Sequence, residues 1–359
     1  MSKVITCRAA VCWGVGEPMV LQDIQVEPPR TSEVRIKILC SSICHTDILY
    51  WRNQAFALFP RVLGHEGVGV VESIGEGVTG FKQGDLVIPT FIGECGECQN
   101  CTSMKTNLCL KHHLSTHGLM HDNTSRMSSK GQKLYNLFSC STWSEYTVVN
   151  VNYLVKIDPK LPKHHASLIS CGFSTGFGSV WKEAKIEKGS SVAVFGLGAV
   201  GLGVIEGARM MEANKIIGVD LNEWKKDKGE IYGMTEFINP AKYNKPISEV
   251  IKDVTGGLGV DYSIECTGVD TLVNQAFEST KMGKGVTIVI GAGPHQSVSI
   301  NFMSLISGRT IKGCLFGGLK PQSDFPSVVG KLINKEINVD NLVTHTIILD
   351  DINEALEIL

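Results

Sequence analysis

Four cysteines crowd into one short stretch, Cys95-x2-Cys98-x2-Cys101-x7-Cys109, in a loop that carries Gly93 and Gly96 and little apolar content. Four thiolates at this spacing suit a closed tetrahedral zinc site, with no position left for water. Three of them are also spaced for an iron–sulfur cluster, the rival reading, although no redox-partner motif accompanies them. Either site organises a lobe without a core of its own, so losing a ligand costs stability before it alters intrinsic chemistry. A second set is scattered over Cys44-His45-Thr46-Asp47, Gly64-His65-Glu66 and Cys171-Gly172-Phe173-Ser174. Singly, each cysteine or histidine reads as structural. Together, Cys44, His65 and Cys171 offer two thiolates and one imidazole, which leaves one zinc position open for Lewis-acid chemistry on an oxygen. Asp47 and Glu66 adjoin these segments, one to orient His65 and the other to tune the field at the metal.

The third pattern is Gly196-Leu197-Gly198-Ala199-Val200-Gly201, which follows an apolar run and opens a helical one. That context turns a glycine triplet into a dinucleotide fingerprint. Gly196 permits the tight turn, Gly198 the approach of a pyrophosphate, and Gly201 close helix–strand packing. The helix start supplies free N–H groups to phosphate. Asp220 ends the next strand, where a carboxylate accepts ribose hydroxyls and repels a 2′-phosphate, so NAD(H) is favoured over NADP(H).

These residues need two kinds of scaffold. Short β-type runs broken by glycine, at 34–39, 67–74, 85–89 and 146–151, predict a partly open β-barrel. From Ser191 the texture changes to apolar strands at 191–195, 215–220, 259–266 and 285–290, with helical sequence such as 200–212 between them. Alternating strand and helix predicts an α/β, doubly wound parallel sheet. The segment from Phe316 either returns to the first domain or caps the second. On the former reading the catalytic barrel domain, with both zinc sites, is 1–172 plus 316–359, and the cofactor domain is 173–315.

At 359 residues the chain suits two domains. A net charge of −2 leaves no footprint for nucleic acid or an anionic membrane. No apolar run is long enough to cross a bilayer, and Met1-Ser2-Lys3 leads directly into strand-like sequence, so a cytoplasmic location is expected. In a reducing compartment the clustered cysteines read as metal ligands before disulfides. Cys7, Cys12, Cys40, Cys140, Cys266 and Cys314 lie in apolar or strand-like contexts and read as small buried hydrophobes.

The combination resembles the zinc-dependent medium-chain alcohol dehydrogenases, in particular their plant alcohol-dehydrogenase-like branch. The motifs carrying it are Ser42-Ile43-Cys44-His45-Thr46-Asp47, Gly64-His65-Glu66, Gly93-Glu94-Cys95-Gly96-Glu97-Cys98, Cys171-Gly172-Phe173-Ser174-Thr175-Gly176 and Gly196 to Gly201. Matching segments run from Lys3 almost to Leu359. The resemblance implies a barrel catalytic domain, a Rossmann domain, and a homodimer joined through the sheet edges of the latter. It implies two zinc ions per chain: a catalytic one on Cys44, His65 and Cys171, and a structural one on Cys95, Cys98, Cys101 and Cys109. Glu66 lies behind the catalytic metal in that pattern, Asp47 bonds His65, and Thr46 takes the proton-relay hydroxyl role. His45 lies near the cofactor pyrophosphate, Asp220 and Lys225 hold the adenosine ribose, and Thr175, Gly196, Gly198, Val200 and Gly201 complete the cofactor contacts. Phe91, Leu114, Leu137, Phe138, Ala292 and Leu315 line the substrate pocket by position, an apolar lining that suits a hydrophobic or aromatic carbonyl.

Two departures from the family pattern bear on function. Many relatives carry a histidine that passes protons to solvent where this chain has Leu49, and leucine neither donates nor accepts one. The chain also stops at Leu359, where relatives continue with a basic residue for the pyrophosphate, which is expected to weaken cofactor binding. The expectation is an enzyme acting on a small-molecule alcohol or aldehyde. It favours reduction of a bulky apolar or aromatic aldehyde, for example one of an alkaloid pathway. A glutathione-dependent formaldehyde dehydrogenase and a catalytically inactive zinc- and nucleotide-binding sensor are the alternatives.

Overall fold

The computed structural model describes residues 3–52, 57–295 and 297–358. The chain ends weighed above, Met1, Ser2 and Leu359, lie outside the described residues. The chain divides into two units, one of Met1–Cys171, Lys320–Asn334 and Leu342–Leu359, the other of Gly172–Leu319 and Lys335–Asn341.

The first unit is built on two mainly antiparallel sheets. One is six-stranded, in the order Gln132–Lys133, Met127–Ser129, Val20–Val26, Ile5–Cys12, Arg61–Val62 and Tyr135–Asn136. The other is five-stranded, in the order Tyr146–Asn150, Glu33–Ser42, Glu66–Ile74, Leu86–Pro89 and Leu154–Lys156. The glycine-punctuated runs thus form strands of a curled, near-barrel sheet system. Its core joins Val34, Ile36, Val71, Val87, Val149, Tyr153 and Leu154. Burying each of the aliphatic side chains contributes about 1.5–3 kcal/mol. The long pairing of Glu33–Ser42 with Glu66–Ile74 shifts register between Arg35 and Ile36 and again between Ile38 and Cys40. Extra residues of this kind bend a strand and re-aim its end. Here the bent end pairs Ser42 with Glu66, which places the Cys44 and His65 segments side by side.

The second unit holds a fully parallel six-stranded sheet, ordered Glu236–Ile238, Lys215–Val219, Ser191–Phe195, Tyr262–Glu265, Val286–Val289 and Thr310–Gly313. Numbered along the chain this is 3-2-1-4-5-6, the dinucleotide-binding order that reverses at its first strand. Strands covered on both faces must be apolar throughout, and Val192 to Phe195 are all buried.

The two units differ from the boundary read from the sequence at three places, the first being Gly172, which falls in the second unit. Residues 316–319 belong to the second unit, because Phe316 and Leu319 are buried and the Gly317 carbonyl approaches Gly178 too closely for a side chain there. Residues 335–341 also belong to it. The Glu336 carbonyl accepts from Arg209 Nη2 at 3.0 Å, and Asn338 N donates to Glu206 Oε1 at 2.7 Å.

Candidate metal and cofactor sites

Short-range chemistry sets up the first cluster. Cys44 precedes the helix His45–Trp51, with Thr46, Asp47 and Leu49 on its first turns. Asp47 is fully buried and accepts three hydrogen bonds, which join two segments distant in sequence. Its Oδ2 takes Cys44 N at 3.0 Å, and its Oδ1 takes Gly64 N at 3.0 Å and His65 Nδ1 at 3.2 Å. Gly64 has φ +89°, and a Cβ there would lie 2.5 Å from Thr142 and Trp143 side-chain atoms, so only glycine makes this turn. Cys171 follows the helix Lys163–Ile169, which is tied to the bent strand end by Ser167 Oγ to Ser42 Oγ at 2.8 Å. Gly67 N donates to Ser170 Oγ at 3.0 Å and fixes the residue beside Cys171.

The result is that single donor atoms of Cys44, His65, Glu66 and Cys171 all lie within 4.8 Å of one another. His65 Nε2 is buried, with no hydrogen-bond partner among the described residues. A buried imidazole nitrogen left without a partner is costly unless a cation meets it. Two thiols, one imidazole and one carboxylate are a zinc donor set, so the residues fit the metal. Among the three ligand candidates the surroundings favour the ionised, ligating form at Cys44 alone. The hydrogen bond from Cys171 outweighs burial and, with the charge of His65, holds the Cys44 thiol well below its ordinary range. Cys171 is pushed up correspondingly, by that same bond and by burial. Burial opposes charge on His65, but Asp47 and the Cys44 thiolate outweigh it and raise the imidazole, whose proton a metal would replace.

Aromatic rings wall this cluster. Phe91 and Phe138 stand edge-on to His65 at 5.8 and 5.7 Å between ring centres. They lie 5.8 Å from each other. Leu137, next to Phe138 in sequence, is buried, and Leu114 is half-buried. Ala292 and Leu315 are exposed residues of the other unit. Leu49 is buried, Thr46 half-buried and His45 exposed.

The second cluster brings Cys95, Cys98, Cys101 and Cys109 together, with all four sulfurs within 4.8 Å of one another. Cys95 Sγ lies 3.9 Å from Cys101 Sγ, and Cys98 Sγ lies 3.9 Å from Cys109 Sγ. Disulfide sulfurs sit about 2.05 Å apart. Four sulfurs about 2.3 Å from one central ion sit about 3.8 Å apart, the spacing seen here. A multi-iron cluster spreads its ligands further, so the geometry favours a single ion over the iron–sulfur rival. Backbone N–H groups of Cys101 and Leu110 point at Cys98 Sγ, each at 3.4 Å, and His112 N points at Cys109 Sγ at 3.2 Å. The Leu110 and Cys101 amides lower the Cys98 thiol to about 6, while burial pushes Cys101 up to about 12. All twelve cysteines are free thiols. Of the remaining six, Cys7, Cys12 and Cys140 are buried, whereas Cys40, Cys266 and Cys314 are only partly so.

One anchor of this lobe escaped the sequence reading. Glu94 caps the helix Pro321–Ile333, its Oε2 accepting from Gln322 N at 2.8 Å and Ser323 N at 3.0 Å. From the start of that helix Lys320 Nζ reaches the Cys101 and Ser103 carbonyls at 2.6 and 2.9 Å. An acid wedged between Gly93 and the first lobe cysteine was the only available signal.

In the second unit the glycine turn has the form that a dinucleotide requires. Gly196 has φ +90°, and a Cβ at Gly201 would fall 1.8 Å from the Gly196 carbonyl oxygen. A Cβ at Gly198 would meet nothing within 4 Å, so the turn is open on that side. Gly198 precedes the helix Ala199–Met210 without a side-chain cap, which leaves N–H groups for phosphate. Val200 is partly exposed on the first turn. Asp220 Oδ2 accepts from Leu197 N at 2.8 Å and pairs with Lys225 Nζ at 3.0 Å, so acid, lysine and glycine turn form one unit. Thr175 is buried in the helix Gly172–Gly178.

The zinc-binding dehydrogenase family matches residues 199–335, and the alcohol dehydrogenase GroES-like domain matches residues 30–159. The chain is 58% identical to a CYP enzymes assisting alcohol dehydrogenase of Catharanthus roseus, over 99% of this chain and 96% of that protein. It is 55% identical to alcohol dehydrogenase 1 of Artemisia annua, over 99% and 95% of the two chains. Among solved structures, benzyl alcohol dehydrogenase from Acinetobacter calcoaceticus superposes with a TM-score of 0.89 at 28% identity, covering 98% of this chain and 96% of that one.

Proposed function

This chain belongs to the zinc-dependent medium-chain alcohol dehydrogenases, in their plant alcohol-dehydrogenase-like branch, and from that premise we propose that it reduces a bulky apolar or aromatic aldehyde with NADH. The observation that carries this reading is the pair of rings, Phe91 and Phe138, edge-on to the imidazole of the Cys44–His65–Cys171 cluster. Apolar walls around a few polar groups select apolar ligands. The benzyl alcohol named for the Acinetobacter structure belongs to the same chemical class.

Cys44, His65 and Cys171 would hold the zinc, with Glu66 in reach as a further oxygen donor. When bound, the metal supplies Lewis acidity toward the substrate oxygen. Asp47 keeps the Nδ1 proton of His65, so Nε2 stays a donor atom facing the cluster. The Thr46 hydroxyl, on the first turn after Cys44, would hold the proton for the substrate oxygen, and a bound nicotinamide would supply hydride. Beyond Thr46, the buried Leu49 offers the proton no way outward along this helix. Proton supply in reduction and proton release in oxidation share that route, so both directions meet the same barrier there. Leu49→His should raise alcohol oxidation near neutral pH, and an unchanged rate and pH profile would sink the argument.

Asp220 supports NAD(H) over NADP(H), because its half-buried carboxylate at the strand end repels a 2′-phosphate. Two separate donor clusters support two zinc ions per chain. A homodimer is supported by Phe302, Met303 and Ile306, exposed in sequence just before the edge strand Thr310–Gly313. A cytoplasmic location is consistent with a chain in which no described helix is long and apolar enough to cross a membrane. The test is a turnover screen with NADH and NADPH over aliphatic, aromatic, terpenoid and alkaloid aldehydes, alongside zinc analysis. Preference for small or anionic aldehydes refutes the substrate class. About one zinc without turnover would instead point to a sensor.

A further inference from the structure

Arg61 is the one fully buried arginine whose Nε and Nη1 have no hydrogen-bond partner among the described residues. Burial depresses the guanidinium to about 10, which still leaves it charged at neutral pH. A buried cation without a carboxylate must be held by something else. The guanidinium lies over the face of Tyr50, 5.2 Å from the ring centre, with Phe59 at 5.9 Å. Its Nη2 donates to the Asn136 carbonyl at 3.1 Å. Arg61 and Val62 pair in parallel with Tyr135 and Asn136, the strand that leads straight into Leu137 and Phe138.

The ring under the cation is itself part of a chain of rings. Tyr50 stands on the helix that carries Thr46 and Asp47, and its ring meets Phe138 at 5.0 Å and 77°. Phe138 meets His65 at 5.7 Å and 85°. The backbone at Phe138 is left-handed, with φ +53°. A bulky side chain in that region is strained and persists only where its surroundings over-determine it. Tyr50, His65 and Phe91 surround the Phe138 ring and supply that constraint.

We infer that Arg61 is a positioning residue for substrate specificity: through Tyr50 it fixes the ring of Phe138 as the rigid wall beside the catalytic cluster. This rests on the aldehyde-reductase reading above. Arg61 touches neither metal ligands nor reacting atoms, so its effect falls on how tightly a bulky substrate is held. A small aldehyde, which does not need the wall, is indifferent to it.

The experiment compares the zinc-loaded wild type with Arg61→Met, which keeps length and loses charge and plane. Arg61→Gln, which also removes the charge over Tyr50, answers the same question if the methionine variant is insoluble. Kinetics are measured with cinnamaldehyde and with propanal, together with zinc content. The expected result is an approximately tenfold loss of kcat/KM for cinnamaldehyde carried by KM, with propanal kinetics and zinc content unchanged. Tyr50→Leu should give the same loss, and the double variant no further one. Equal losses on both aldehydes, or none, overturn the proposal. An independent readout is the 19F signal of Phe138 in protein labelled with 4-fluorophenylalanine, assigned by its disappearance in Phe138→Leu. That signal should shift or broaden in Arg61→Met without any substrate, and an unmoved signal overturns the positioning role. If the wild type turns over no aldehyde while the signal still moves, the functional reading fails and the positioning of Phe138 stands.

Discussion

Replacing Asp47 by asparagine tests the joint on which the cluster of Cys44, His65 and Cys171 depends. The carboxylate accepts from Cys44 N, Gly64 N and His65 Nδ1, at 3.0, 3.0 and 3.2 Å, and it is completely buried. An amide keeps the shape but has only one acceptor. If its oxygen stays with Gly64 and His65, its NH2 faces the Cys44 N–H, donor against donor. Leaving one buried N–H without an acceptor costs about 1–3 kcal/mol. The remaining bonds lose their charge assistance, and with it about half their strength. The sum is about 2–4 kcal/mol, which corresponds to a melting shift of about 5–10 °C. Loss of the group that orients a ligating histidine also weakens metal affinity by about 10–100-fold. The assay is competition for zinc with a chromophoric chelator, paired with thermal unfolding of the loaded protein. A variant that binds zinc within about twofold of wild type and melts unchanged would refute the joint, since neither term of the sum could then be real.

Three further outcomes follow from the same coordinates. Gly198→Ala should fold normally, because its Cβ meets nothing, yet weaken NADH binding measured by fluorescence; Gly201→Ala, whose Cβ would fall 1.8 Å from the Gly196 oxygen, should lower the melting temperature as well. In zinc-stripped protein Cys98 should alkylate before Cys101, with its rate half-maximal near pH 6, because two backbone N–H groups stabilise its thiolate while burial pushes Cys101 up; mass spectrometry identifies the site. Asp261 is raised by burial but lowered overall by Lys281 and by the backbone and hydroxyl of Ser191. A depressed folded value means stability that is present above the ordinary carboxylate range and lost as pH falls below it. Asp261→Asn should therefore destabilise by about 1–3 kcal/mol at pH 7, and urea unfolding should show the gap closing only in strong acid.

Whatever is local in the chain is legible in its sequence. The strand, glycine turn and helix from Ser191 to Met210 follow from neighbouring residues whose steric demands are met within one supersecondary unit. The lobe cysteines are close in sequence, so their spacing alone brings four sulfurs together, although one ion rather than a multi-iron core emerged only from the 3.9 Å separations. What lay beyond the sequence is set by long-range pairing. Cys44, His65 and Cys171 meet because two register shifts turn a strand end and because Ser167 and Ser170 tie a third segment to it. The same distance in sequence hid Glu94 on a helix start, residues 335–341 in the second unit, and the guanidinium of Arg61 on Tyr50. Residue types and spacing thus named the family, the two donor sets and the glycine turn. Its geometry came from contacts whose partners no local pattern can identify, since a buried group must find whichever donor, acceptor or ring the finished fold brings to it.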